Sequence, residues 1–288
     1  MQQEGGVLFE ERRFLQQEVK RGAHAMIGLG YRREMADWDM SAVQASFFEV
    51  VPENWVRRDR APLHRLIERG HPVHLHGVSL NLGGQGDISR AFLADVRALI
   101  DDLGQAQGPV HYSDHLAASG DAHQLYDLFP IPFTMQEARR VGERIGFVQD
   151  VLKQRIAIEN TTWYTNIGDM GEPDFLAEVA RRADCRILLD LNNIVVNHKN
   201  HGGPSLAAFV RDVDLGRVTY MHVAGHEFDA RFGMHIDTHS QPVETQTRDM
   251  ARRIQAEWRI PILLEWDNDV PSLDAINEEL ACLRSTIT

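Results

Sequence analysis

Cysteine is scarce in this chain of 288 residues: it has two, Cys185 and Cys282. Cys185 opens an apolar run and Cys282 falls in an expected C-terminal helix. Both read as small buried apolar residues rather than a disulfide or metal ligands. Iron–sulfur chemistry and cysteine-built zinc sites are thereby excluded. No apolar run reaches the roughly 18 residues that a membrane span needs. Met1-Gln-Gln-Glu-Gly-Gly shows no basic stretch leading into an apolar one, so no signal peptide is visible and a cytoplasmic location is expected. Positive charge is in deficit, with a formal net charge of −12. That balance argues against a nucleic-acid surface, which needs clustered Lys and Arg. Gly28-Leu-Gly30-Tyr-Arg-Arg lacks the third glycine of a dinucleotide fingerprint. Leu82-Gly-Gly-Gln-Gly86 is not followed by Lys-Ser/Thr and reads as a flexible loop.

What the chain does hold is histidine beside acid. His222 to His239 reads H-V-A-G-H-E-F-D-A-R-F-G-M-H-I-D-T-H, with four histidines and three acidic residues in eighteen positions. Acids and imidazoles crowded just past a strand suit a metal site and do not suit a core. The segment Val218–Ala224 reads as that buried strand.

Short apolar runs alternate with longer helical patterns along the chain. Strands are expected at Ala25–Tyr31, Ser46–Val51, Pro72–Leu80, Pro109–Leu116, Arg155–Asn160, Arg186–Leu191, Val218–Ala224 and Pro261–Trp266. Helices are expected at 58–70, 88–103, 135–153, 173–183, 204–213, 244–258 and Ser272–Arg284, with room for a short one near 34–44. Thr134 with Glu137 three residues on is a capping pair. Eight βα units without a break predict an α/β fold of one domain, a (β/α)8 TIM barrel over residues 23–288. The alternative is a doubly wound open sheet. Residues 1–22 read as an added amphipathic helix or an arm.

Side chains alternate across a strand. Where the branched apolar residues take the helix side, the polar ones point into the barrel. This places His76, His111, Glu159, Asp190, His222 and Glu265 inside, near the C-terminal strand ends where barrel active sites lie. Three adjacent buried carboxylates repel one another and take up protons unless cations neutralise them. Asn193, three residues after Asp190, and His226, Asp237 and His239 after the seventh expected strand form a further group. About ten donors exceed the four to six that one ion accepts, so two or three ions fit, with Glu159 bridging. A donor set of His, Asp, Glu and Asn favours zinc, manganese or non-haem iron. His71, His74, His115 and Asp114 read equally well as groups that orient ligands or as core. His24, His64 and His123 read as surface or helix residues. His198 and His201 are expected in a loop after the sixth strand, and Glu227 to Ile236 as a loop over the mouth, with His235 not a ligand. Glu49 and Glu53 are expected to face the mouth, with capping of the next helix by Glu53-Asn54 as the alternative.

These residues, in this order, resemble the multinuclear non-haem iron-dependent oxidative enzymes that modify cysteines of ribosomally made peptides. Methanobactin-biosynthesis and bufferin-maturation enzymes belong to that family. The similarity runs through G-L-G-Y-R (28–32), F-F-E-V-V-P-E-N-W (47–55), H-L-H-G-V-S-L-N-L-G (74–83) and H-Y-S-D-H-L (111–116). It continues through I-E-N-T (158–161), L-L-D-L-N-N (188–193), M-H-V-A-G-H (221–226), D-T-H (237–239) and L-L-E-W-D (263–267). The resemblance implies one iron on His76, His111 and Glu159, a central one on Glu159, Asp190, His222 and Glu265, and a third on Asn193, His226, Asp237 and His239. It implies mixed-valent iron, dioxygen as co-substrate, a cysteine-containing precursor peptide and a small partner protein that recruits the leader peptide. Oxidation at the cysteine β-carbon is the expected reaction, with Asp267 and Asp114 as proton-handling groups. A closed barrel offers no free sheet edge, so the peptide is expected to bind across loops or to that partner.

Three other classes compete: a zinc or manganese phosphodiesterase or endonuclease, a two-metal sugar isomerase, and a non-catalytic metal-binding scaffold. The first lacks basic residues at the mouth beyond Arg32, Arg33 and Lys199. The second lacks a lysine inside the third to eighth strands.

Overall fold

The computed structural model describes residues 26–120, 125–165 and 168–285. The expected arm over 1–22, with His24 and His123, lies outside them. Among the described residues there are twelve strands: β1 (Ile27–Gly30), β2 (Phe47–Val50), β3 (Val73–Gly77), β4 (Tyr112–His115), β5 (Ala118–Gly120), β6 (Leu125–Phe129), β7 (Ala157–Glu159), β8 (Arg186–Asp190), β9 (Val218–Val223), β10 (Glu227–Asp229), β11 (Met234–Ile236) and β12 (Ile262–Leu264). Eight of them close into a barrel in the order β1–β12–β9–β8–β7–β4–β3–β2. Every pair within it is parallel. These eight are the expected strands, and the barrel is the expected α/β TIM fold.

The eight described α-helices are α1 (Ala61–Glu68), α2 (Arg90–Gln107), α3 (Met135–Leu152), α4 (Glu172–Ala183), α5 (Leu191–His201), α6 (Leu206–Asp212), α7 (Thr245–Trp258) and α8 (Leu273–Arg284). Their starts follow from local chemistry. The Thr134 and Ser89 hydroxyls accept from the amides of Glu137 and Phe92, and Ser205 and Ser272 do the same for α6 and α8. The short helix expected near 34–44 is a single 3-10 turn at Arg33–Met35.

Two expected loops are ordered differently. The polar run N-H-K-N-H is the end of α5. Asp190, last in β8, accepts from the amide of Asn193 and starts the helix directly, while Leu191, Ile194 and Val195 bury its apolar face. Glu227 to Ile236 is the antiparallel hairpin β10–β11 rather than a plain loop. A second hairpin, β5–β6, also follows a barrel strand. The barrel is closed and offers no free sheet edge, as expected; the two hairpins lie outside it and have edges of their own.

Most of the apolar core lies between barrel and helices. A separate cluster of Phe47, Ala157, Leu188, Tyr220 and Leu263 fills the barrel interior. It forms a floor beneath the polar residues at the strand ends. Just past β9 the chain crosses another segment at close quarters. A Cβ added at Gly225 would run into the backbone of Gln241 and Pro242. Only glycine allows that approach, and the approach pins the segment carrying Asp237 and His239.

Gly225→Ala is expected to cost roughly 1–3 kcal/mol by overpacking. Thermal denaturation of the variant should show a lowered midpoint; an unchanged one would mean that the contact carries no stability.

Candidate metal centre

Seven of the eight barrel strands, all but β1, deliver polar residues to one point. His222, on β9 and wholly buried, is its hub. Its Nδ1 lies 3.1 Å from Glu265 Oε2, 3.2 Å from Glu159 Oε1 and 3.9 Å from Asp190 Oδ2. The other Glu159 oxygen, Oε2, lies 3.1 Å from His76 Nε2 and 3.3 Å from His115 Nε2. One Glu159 oxygen thus faces His76 and His115 and the other faces His222. Glu159 belongs to two compact donor groups, one with His76 and His222 and one with Asp190, His222 and Glu265.

Neighbours fix how these groups face. His76 Nδ1 is 2.9 Å from Ser113 Oγ, which turns Nε2 toward Glu159. His222 Nε2 donates to Glu49 Oε2 at 3.1 Å, and Glu49 also accepts from the Tyr220 hydroxyl. A carboxylate on one ring nitrogen orients the other toward an ion. Glu265 is held from behind by Arg32, whose Nη2 donates to Oε1 at 3.0 Å while its guanidinium also binds Asp267. β1 contributes Gly30 where its neighbours contribute side chains. A Cβ at Gly30 would sit 2.8 Å from Arg32 Nη1, so the missing side chain makes room for the folded-back arginine.

A second wing lies beside α5. The Thr162 hydroxyl is 2.6 Å from Asn193 Oδ1 and 3.1 Å from Asp237 Oδ2. Asn192 donates from Nδ2 to Asp237 Oδ1 at 2.6 Å and accepts from His226 Nδ1 at 2.7 Å. His226 Nε2 faces Lys199 Nζ at 2.8 Å, so both its ring nitrogens are engaged. His239 Nδ1 donates to Asp267 Oδ2 at 3.0 Å, and its Nε2 lies 2.8 Å from Asp237 Oδ1. His239, Glu265 and Asp267 form a third compact donor group.

The electrostatics show what such crowding demands. Burial opposes charge on His76, yet Glu159 and Glu49 raise it to about 9. Burial likewise opposes charge on His222 and His239, and the carboxylates around them still hold both well above the usual range. Burial favours a neutral Glu159, but His76, His115 and His222 pull it down. Asp190 is pushed well up, first by burial and then by the charges of Glu159 and Asp237. Without a metal, charged histidines balance Glu159 and Glu265, and Asp190 is held toward its neutral form, where cations would otherwise serve. Even so, Glu159 Oε2, Asp190 Oδ2 and His239 Nε2 are buried without a well-formed hydrogen bond, although Glu159 and His239 have oppositely charged neighbours within 3.1 Å. Buried polar atoms are nearly always satisfied, so these orphans fit metal coordination. The donors are imidazole, carboxylate and amide oxygen, the set suited to zinc, manganese or iron.

Of the ten residues expected to hold metal, the structure gathers Glu159, Asp190, His222, Glu265 and His76 into one cluster and sets Asn193, Asp237 and His239 beside it. His226 is linked to that wing through Asn192. His111 is not brought there. It lies at the opposite end of the barrel, its ring 4.6 Å from that of His74 beside Phe47 and Tyr220. His115 stands beside Glu159 instead. The two share strand parity, but four residues at about 3.3 Å each separate them by about 13 Å along the strand. Asp114 also needs correcting. It occupies the outward parity of β4, accepting from the amides of His115 and Leu80 and from the Tyr112 hydroxyl. Burial and the charge of Glu53 raise it to about 8. Asp267 does lie at the mouth, between Arg32 and His239. Glu49 and Arg32 are working parts that the sequence offered without specifying. F-F-E-V-V gives no alternation to orient Glu49, and Arg32 lies beyond its strand.

A family model described as RiPP precursor modification enzyme MbnB/TglH/ChrH matches residues 26–288. A UPF0276 protein of Neisseria gonorrhoeae is 39% identical over 264 residues, covering 88% of this chain and 92% of that protein. Another from Pseudomonas aeruginosa is 36% identical over 278 residues, covering 94% of each. Among solved structures, the E. coli 3-keto-D-glucoside 4-epimerase YcjR aligns with a TM-score of 0.57 at 14% identity, covering 90% of this chain and 99% of that one. A family 2 AP endonuclease from Brucella melitensis gives 0.57 at 12%, covering 91% and 100%. At such identities these two likenesses show the barrel fold alone.

His76 has an ordinary value of 6.5 and stands at about 9 here. In the metal-free protein its pairing contributes stability that is full below pH 6.5 and lost as pH rises through about 9. A metal requires the neutral ring, so affinity should climb over the same interval and binding at neutral pH should release protons. Calorimetry of zinc or manganese binding in buffers of different ionisation enthalpy checks this; identical heats in all buffers would contradict it.

Proposed function

The chain belongs to the MbnB/TglH/ChrH family of RiPP precursor modification enzymes, and from that premise we propose that it is an iron-dependent oxidase acting on cysteine residues of a ribosomally made precursor peptide. The observation that supports this reading most is the buried Glu159, which belongs to two donor groups and turns one oxygen to His76 and the other to His222. Two ions held through that carboxylate would sit close together, with room for a third beside them.

His76, His115 and Glu159 would hold one ion, and Glu159, Asp190, His222 and Glu265 the central one. Asn193, Asp237 and His239 would hold a third, with His226 reaching it once Lys199 gives way. Bound iron supplies open positions for a cysteine thiolate and for dioxygen and accepts the electrons of the oxidation. The chain's own residues do the rest. Glu49 and Tyr220 lock the His222 ring, and Ser113 locks His76. Arg32 keeps one Glu265 oxygen occupied so that the other faces His222. Asp267 orients His239 and lies 35% exposed at the mouth, where it can pass protons to solvent. The interior cluster beneath keeps water from entering below.

A small partner protein that presents the peptide's leader completes the proposal. The isomerase alternative wants a lysine at the metals, but Lys199 is tied to Glu244 and His226.

Anaerobically purified protein should hold iron with the Mössbauer and EPR signatures of a coupled cluster, and should consume dioxygen when given a cysteine peptide. Tightly held zinc alone, with no iron uptake and no oxygen consumption, would sink the oxidase reading. Glu159→Gln should remove multi-metal loading, leaving about one ion or fewer per chain; full metal content in that variant would show that Glu159 does not bridge. Arg32→Met should weaken metal affinity by about tenfold or more, the usual range for losing a group that orients a ligand, as read by competition with a chelator.

A further inference from the structure

The hairpin β10–β11 rises beside the metal cluster, with the edge of β11 paired and the edge of β10 without a partner among the described residues. On β11, the His235 amide donates to Asn200 Oδ1 and its carbonyl accepts from Asn200 Nδ2, both at 2.8 Å. The Asn200 side chain therefore pairs with β11 as a neighbouring strand would. It also fixes the phase of the hairpin. His235 turns its backbone groups away from β10 and lies opposite Phe228. In an antiparallel pair, a residue opposite such a partner also turns its own groups outward. Phe228 thus presents its N–H and C=O along the free edge of β10.

That edge lines a cleft of about 840 Å³, within the roughly 300–1,000 Å³ of ligand sites. The cleft is unusually aromatic for a surface. Six large apolar side chains are exposed among the described residues, and four of them, Phe129, Tyr164, Phe228 and Phe232, line this one cleft. Its inner end reaches Thr162 and Asp237 of the metal centre. Tyr164 joins wall to site, because its hydroxyl accepts from the Asp237 amide at 3.2 Å. Of the charged groups lining the cleft, Arg231 pairs with Asp229, while Glu227 and Asp237 leave the lining net negative. An exposed apolar cluster beside a candidate metal centre marks a binding surface, and the negative lining disfavours a polyanion.

We propose that the segment of the precursor peptide flanking the modified cysteine docks in this cleft as an added strand on β10. This rests on the peptide-modifying function proposed above. The Phe228 N–H and C=O pair with the peptide backbone, which any sequence can offer. Phe228 and Phe232 cover apolar side chains on one face of the added strand, and Phe129 and Tyr164 form the opposite wall. Alternate peptide residues then face the same way, which delivers the cysteine past Thr162 and Asp237 at the cluster.

The test uses the metal-loaded full chain and a phage-displayed library of linear peptides with one fixed cysteine. Peptides should be enriched, and the best of them, made synthetically and fluorescently labelled, becomes the probe. Binding should slow hydrogen exchange at the Phe228 amide. The Phe228→Ala/Phe232→Ala double variant should bind the probe at least about tenfold more weakly at unchanged metal content, a loss of about 1.4 kcal/mol. Trp258→Ala, an exposed aromatic at the far end of α7, should leave affinity unchanged. Enrichment of no peptide, protection confined to other elements, or equal affinity of the double variant each overturns the docking cleft. A probe that binds as described but is never oxidised leaves the cleft standing and counts against the proposed oxidase alone.

Discussion

The structure turns on the problem of keeping Glu159, Asp190 and Glu265 buried together. Removing one ionised carboxylate from water costs several kcal/mol, and placing three around one imidazole adds their mutual repulsion. The fold answers with every cation it can bring to the mouth. His222 stands at the centre of the three, His76 and His115 flank Glu159, and Arg32 folds back over Glu265. The compensation is incomplete, since Asp190 Oδ2 has no hydrogen-bond partner and lies 3.9 Å from His222 Nδ1. Residual negative potential in a cavity walled by protein is what draws in multivalent cations. The same lack of balance explains why the site is surrounded by fixed donors such as Ser113, Tyr220 and Asn192, which orient side chains that would otherwise repel.

The surrounding architecture serves that cluster. A floor of Phe47, Ala157, Leu188, Tyr220 and Leu263 closes the barrel below it. Asp190 starts α5 in the next residue, so the helix that carries Asn192, Asn193 and Asn200 is anchored on a residue of the site itself. Through Asn200 the same helix carries the hairpin, and through Asn192 it holds Asp237. The candidate metal centre and the hairpin side of the aromatic cleft are therefore anchored on one helix, the condition that the proposed function would need to present a flexible peptide with positional accuracy.

Much of the centre could be read from the chain because strand alternation is a local property. Ile156, Ile158 against Ala157, Glu159 is enough to say which way Glu159 points, and the same holds at Asp190, His222 and Glu265. Depth along the barrel is different. His111 and His115 share a face of β4, and only the stagger between neighbouring strands decides which reaches Glu159. That stagger follows from closing eight tilted strands, a condition no single segment contains. The hairpin was read as a loop over the mouth, because strands of three residues are too short to show alternation; Gly233 takes the left-handed conformation that its turn requires.

The sequence by itself determined the barrel, the inward set of acids and histidines, and the kind of ion that such donors suit, because periodicity and side-chain chemistry act over a few residues. Tertiary structure alone decided that His115 rather than His111 meets Glu159, that Arg32 and Glu49 support the centre, that His226 faces Lys199, and that one edge of β10 stays open over an aromatic cleft. These depend on register, on loop return and on which backbone groups are already satisfied, and those are set only when distant segments pack together.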